Sequence, residues 1–93
     1  MLSTIPTLGS LCLSTQGRDK ASLYIIVKII DHEFVLVVDG RIRRMANPKK
    51  KRVKHIKVLP QLVTLALLSK IADGTAADNE LHKALLSYEK SKP

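Results

Sequence analysis

The sequence predicts a small all-β barrel followed by a short C-terminal helical extension. Two observations carry this. From Leu8 to Val58, short apolar runs bounded by turn residues recur at close intervals, the pattern of short strands with local connections. From Pro60 onward the apolar period becomes that of helices. At 93 residues the chain has room for one small domain. The expected division is a flexible lead-in over 1–7, the barrel over 8–58 and the helical extension over 59–93.

The first strand is expected in "LGSLCLS" (Leu8 to Ser14), where Leu11 and Leu13 face one way and Ser10, Cys12 and Ser14 the other. "LYIIVKII" (Leu23 to Ile30) is rich in β-branched residues and reads as the second, and "FVLVV" (Phe34 to Val38) as the third. "DHE" (Asp31 to Glu33) is a tight hairpin connection between them. Asp39-Gly40 suits a type I′ turn, in which both central residues need positive φ. It leads into "RIRRM" (Arg41 to Met45), a fourth strand alternating basic and apolar residues. Pro48 and the lysines after it form a polar break. "RVKHIKV" (Arg52 to Val58) alternates again, slightly out of register at His55, and reads as the fifth strand. Five short strands with local connections suggest a closed barrel, which also removes aggregation-prone edges.

Pro60 fits the first turn of a helix running through "PQLVTLALLSKIADG", and Gly74 fits the position just past its end. In "TAADNELHKALLSYEK", Leu81, Ala84, Leu85 and Tyr88 form the stripe of an amphipathic helix. Thr75 or Asp78 can cap it, and Asp78 and Glu80 sit where the helix dipole favours negative charge. The first helix is so apolar that it must pack on the barrel, on its neighbour or on another chain.

Composition narrows the function. Net charge is +8, and nine basic residues (Arg41, Arg43, Arg44, Lys49, Lys50, Lys51, Arg52, Lys54 and Lys57) fall in one window that holds no acidic residue. The remainder of the chain is close to neutral. Such a patch attracts polyanions, nucleic acid before an anionic membrane surface. The only aromatic residues are Tyr24, Phe34 and Tyr88, which argues against a stacking platform for single-stranded bases. One cysteine, Cys12, excludes a disulfide within the chain and a Cys-rich zinc site, and suits a small buried hydrophobe. His32, His55 and His82 lie on different elements at no metal-ligand spacing. Asp31 and Glu33 suit a polar turn and have no partner nucleophile. No enzymatic activity, cofactor or metal is therefore expected. The N-terminus lacks the features of a signal peptide, and no apolar run approaches the roughly 18 residues of a membrane span. A cytoplasmic protein without a membrane partner is the expectation.

"NPKKKRVKH" (Asn47 to His55) matches the composition of a nuclear import signal and equally that of a basic loop on a folded domain. Candidate strands flank it on both sides, which places it inside a domain and favours the loop.

The segment from Gln16 to Ile56 resembles the KOW-domain family. It is most similar to the small bacterial KOW proteins related to large-subunit ribosomal proteins of archaea and eukaryotes. The likeness rests on Gly17-Arg18-Asp19-Lys20 after the first strand, a hydrophobic second strand, and Asp39-Gly40 leading into Arg41. A Pro-Lys-Lys-Lys loop (Pro48 to Lys51) and Lys54-His55-Ile56 complete it. The resemblance implies an SH3-like barrel that binds structured RNA on or near the ribosome. Two positions depart from the family, which usually has a second glycine followed by a basic residue where this chain has Ala21 and Ser22. A reshaped first loop is expected there, since alanine pays for backbone torsions that glycine allows.

The residues expected to contact RNA, whether rRNA or tRNA, are Arg18, Lys20, Arg41, Arg43, Arg44, Lys49, Lys50, Lys51, Arg52, Lys54 and His55. Arginines can fork onto a phosphate and lysines act as point charges. The alternative is a protein–protein adaptor that uses the apolar segment 60–72, its basic loop serving for import or for an acidic partner.

Overall fold

The computed structural model describes residues 5–91 and consists of one five-stranded antiparallel sheet and two C-terminal helices. The strands are β1 (Ser10–Ser14), β2 (Leu23–Ile29), β3 (Phe34–Val38), β4 (Lys49–Arg52) and β5 (Ile56–Leu62), paired in the order β4-β3-β2-β1-β5. The expected lead-in over 1–7 lies partly, at residues 1–4, outside the described residues.

The sheet is buried on both faces, and period-2 alternation sorts its side chains into two cores. Cys12, Tyr24, Ile26, Val35, Val37 and Ile56 form one. Leu11, Ile25, Val27 and Val38 join Leu59, Val63, Leu67, Ile71, Leu81 and Leu85 in the other, under the helices. Burial on both sides is why β2 reads as an almost unbroken apolar run. Cys12 is fully buried, and burial pushes its thiol pKa up to about 12, with Lys51 acting in the opposite direction.

No helix covers the first core; the sheet curls around it. Lys51 Nζ on edge strand β4 donates to Ser14 Oγ on β1 over 2.9 Å, although two strands lie between them in the pairing order. In a flat sheet that separation would be roughly 14 Å, three inter-strand spacings. The curl falls short of a hydrogen-bonded barrel. β4 and β5 remain the two edges, joined by a single 3-10 turn at Val53–His55.

Several expectations need correction. Arg41–Met45 is a turn-rich loop and not a strand. Asp39 Oδ1 accepts from the backbone N–H groups of Arg41 and Arg43, at 2.8 and 2.9 Å, and so occupies amides that a ladder would need. The strand that pairs with β3 is instead the lysine run thought to be a polar break, with Val35 opposite Lys51 and Val37 opposite Lys49. His55, expected on a strand, lies in the 3-10 turn.

Pro60 also belongs to a strand. β5 is an edge, where a missing N–H is tolerated, and its pairing with β1 is irregular between Cys12 and Ser10. Helix α1 (Leu65–Asp73) therefore starts later than expected. Thr64 caps it, its side chain accepting from Leu67 N–H, and Gly74 ends it at φ +77°. Helix α2 (Asp78–Ser91) carries the expected stripe, burying Leu81 and Leu85 with Ala84 and Tyr88 packed alongside. Asp78, one of the two cap candidates, is used otherwise. Its Oδ1 accepts from Met45 N–H over 2.8 Å and fastens the 39–45 loop to the helix.

Candidate nucleic-acid interface

Nine of the eleven basic residues expected at an RNA contact lie on three adjoining pieces of chain: the loop after β1, strand β4 and the 39–45 loop. Lys54 and His55 follow in the 3-10 turn beside β4. The structure sorts them sharply.

In β4, alternation turns Lys49 and Lys51 toward the curled side of the sheet. Both reach Asp19 of the first loop: Lys49 Nζ lies 2.9 Å from Oδ2 and Lys51 Nζ 3.2 Å from Oδ1. Ser14 Oγ and Tyr24 Oη donate to the same carboxylate, each at 2.8 Å. Burial alone would push the Asp19 carboxyl pKa up. The hydrogen bonds from Lys49, Tyr24, Ser14 and Lys51 together outweigh it and hold the group well below the usual carboxylate range. Tyr24 is pushed up, first by burial and then by its bond to Asp19. Lys51 is only 8% exposed, so it is a structural cation and not a surface one.

Lys50 and Arg52 point the other way, into solvent. Both lie over the ring of Phe34, Lys50 Nζ at 4.4 Å and Arg52 Cζ at 5.0 Å from its centroid. This cation–π contact orients two exposed charges side by side without neutralising either. Arg52 and Lys54 also border a small cleft with His32 and Glu33. Lys54 is exposed and His55 half-buried.

Arg18 and Lys20 are exposed at the tip of the first loop, on either side of Asp19. The Asp19–Lys49 pair therefore brings this tip beside β4. Ala21 closes the loop at φ +74°, the one non-glycine residue with positive φ among those described. The departure read from the sequence thus coincides with a left-handed backbone that costs an alanine roughly 1–2 kcal/mol.

Arg41 and Arg44 are exposed on the 39–45 loop and Arg43 is half-buried. Arg41 shares a cleft with Ala21, Ser22 and Leu23, so this loop adjoins the first one. The 39–45 loop, the first loop and the edge strand thus adjoin one another, with Asp39 and Glu89 beside Arg41 in the shared cleft. Among the described residues, no ion pair engages Arg18, Lys20, Arg41, Arg43, Arg44, Lys50, Arg52 or Lys54.

The sequence reading missed Asp19 as an organiser. The available signal was its position, since it is the sole acidic residue in the first thirty and lies between two cations. The import reading of the lysine run also loses its basis. That run is hydrogen-bonded into a sheet and has one of its lysines buried, so it cannot be threaded into a receptor as an extended segment. Among the described residues no group of three His, Cys, Asp or Glu side chains could hold a metal ion, and no helix is long and apolar enough to cross a membrane.

No protein-family model matches the chain. Curated relatives do. The chain is 38% identical over 82 residues to large ribosomal subunit protein eL14 of Hyperthermus butylicus, covering 83% of this chain and 71% of the relative. The protein of the same name from Aeropyrum pernix is 29% identical over 84 residues (90% and 77%), and that from Desulfurococcus amylolyticus 33% identical over 78 residues (84% and 74%). These relatives are archaeal, whereas the sequence likeness pointed to small bacterial proteins.

Proposed function

The chain belongs to the family of large ribosomal subunit protein eL14, and from that premise we propose that it is a non-catalytic RNA-binding protein of the cytoplasmic ribosome, gripping the backbone of structured rRNA. The observation that carries the reading is the sorting of β4. Two of its cations are consumed inside by Asp19, yet Lys50 and Arg52 are held outward beside exposed Arg18, Lys20, Arg41, Arg44 and Lys54. A patch of like charge repels itself in the free domain, and a polyanion relieves that repulsion. Contacts of this kind read shape and phosphate more than base sequence. Five short antiparallel strands curled round an apolar interior support the finer reading of the fold as an SH3-like KOW domain.

A protein contact through residues 60–72 remains a second element of the proposal. Leu67 and Ile71 of that segment are committed to the core, but Leu62 and Leu65 are 59% and 84% exposed.

Sedimentation of lysate through a sucrose gradient at low and high salt tests the proposal. The protein should travel with the large ribosomal subunit at low salt and be released by high salt. Protein that stays at the top of the gradient at low salt overturns it. On purified rRNA, five to eight phosphate contacts would give a slope of about −4 to −7 in log affinity against log salt.

A further inference from the structure

The 39–45 loop holds an isoleucine where the charge pattern has no use for one. Ile42 is 85% exposed, between Arg41 and Arg43. A lone exposed apolar side chain is common and by itself means nothing. Here the backbone around it is fixed. Asp39 Oδ1 accepts from the N–H groups of Arg41 and Arg43, the N–H groups of Asp39 and Gly40 donate to Arg43 O, and Arg44 Nε donates to Arg41 O. Met45 N–H is tied to Asp78, and a β-carbon at Gly40 would run into the backbone of Asp78 and His82, so the loop lies hard against α2. Asp39, the acidic residue closest in sequence to the arginines, spends its carboxylate on backbone amides and forms no ion pair with them. The result is a rigid projection with an apolar tip and uncompensated arginines on both sides.

We propose that Ile42 is an RNA-reading residue: its side chain packs against the face of a nucleobase or ribose while Arg41 and Arg44 hold the flanking phosphates. Charge complementarity selects RNA as the occupant, because an apolar protein surface would have to bury the neighbouring guanidinium groups at high cost. An apolar side chain carried into a nucleic-acid groove by flanking cations is an established form of contact, and it costs little here because the loop is already ordered. This inference rests on the RNA-binding reading above and adds to it a residue that contributes without charge.

The test is filter binding of the full chain to purified, protein-free large-subunit rRNA across a range of salt concentrations. Ile42→Ser should weaken binding about tenfold, the loss of one apolar burial, and leave the salt slope as in wild type. Ile42→Leu should bind within about twofold of wild type. Arg41→Ala with Arg44→Ala should instead make the slope shallower by about 2. Because Ile42 is in solvent, its substitution leaves the melting temperature unchanged, and a melt of each variant confirms that. Ile42→Ser binding as tightly as wild type overturns the inference while the RNA-binding reading stands. So does Ile42→Ser binding naked rRNA normally yet failing to enter the large subunit, which would mark a protein contact. Wild type that fails to bind rRNA at any salt overturns both.

Discussion

Strand β4 and the 39–45 loop are both rich in cations, yet the fold uses them in opposite ways. In β4 the backbone is extended and paired, so alternate side chains diverge: Lys49 and Lys51 enter the curl and meet Asp19, while Lys50 and Arg52 stay outside over Phe34. In the loop, the acidic partner Asp39 bonds to backbone amides and leaves the arginines unpaired. One carboxylate pairs with side chains and builds structure; the other shapes main chain and preserves charge. Net charge therefore overstates what the β4 run can offer a polyanion and states correctly what the loop can offer.

The comparison breaks most visibly at Asp19. Asp19→Asn should destabilise the domain by about 2–3 kcal/mol, read by urea or thermal unfolding, because Lys51 loses the charge that compensates its burial. Asp39 should show no such role toward a buried cation. The pH dependence carries the same signature. The folded-state pKa of Asp19 lies below its unfolded value near 4, so its stabilisation is complete above about pH 4 and is lost as pH falls further, through the folded value. Wild type should lose stability over that acid range, and Asp19→Asn should lose less of it.

A smaller effect sharpens the outward half of the strand. Lys50→Ala with Arg52→Ala should weaken rRNA binding about thirtyfold near physiological salt and make the salt slope shallower by about 2, with stability changed by under about 1 kcal/mol. A binding curve that does not move would assign the interface to the two loops alone. The smallest effect is in the first loop, which adjoins both regions. Ala21→Gly should stabilise the protein by about 0.5–1 kcal/mol, relieving a left-handed alanine at the cost of extra freedom in the unfolded chain. A loss of stability on that change would mean that the Ala21 methyl makes packing contacts worth more than its strain.

Where the sequence signal was hydrophobic, it was legible. β1, β2, β3 and the stripe of α2 fall where apolar periodicity put them, because water sorts apolar from polar residues regardless of fold details. The end of α1 at Gly74 was legible too, since a left-handed residue after a helix has few alternatives to glycine. The fourth strand was not. In "KKKR" the inward and outward positions carry the same charge, so alternation leaves no trace in the sequence, whereas "RIRRM" imitates alternation while its amides are bound elsewhere. Pro60 misled for a related reason: a proline that opens a helix and one on an edge strand look alike until the edge is known.

By itself, then, the sequence determined the class of domain, the identity of most of its core and the presence of a concentrated positive patch, since each depends on residue type and local period. The tertiary structure decided which cations that patch keeps. Curling the sheet brings Asp19 within reach of Lys49 and Lys51, thirty and thirty-two positions away in the chain. Only that long-range approach turns buried Lys51, and in part Lys49, from ligand-seeking charges into structural ones.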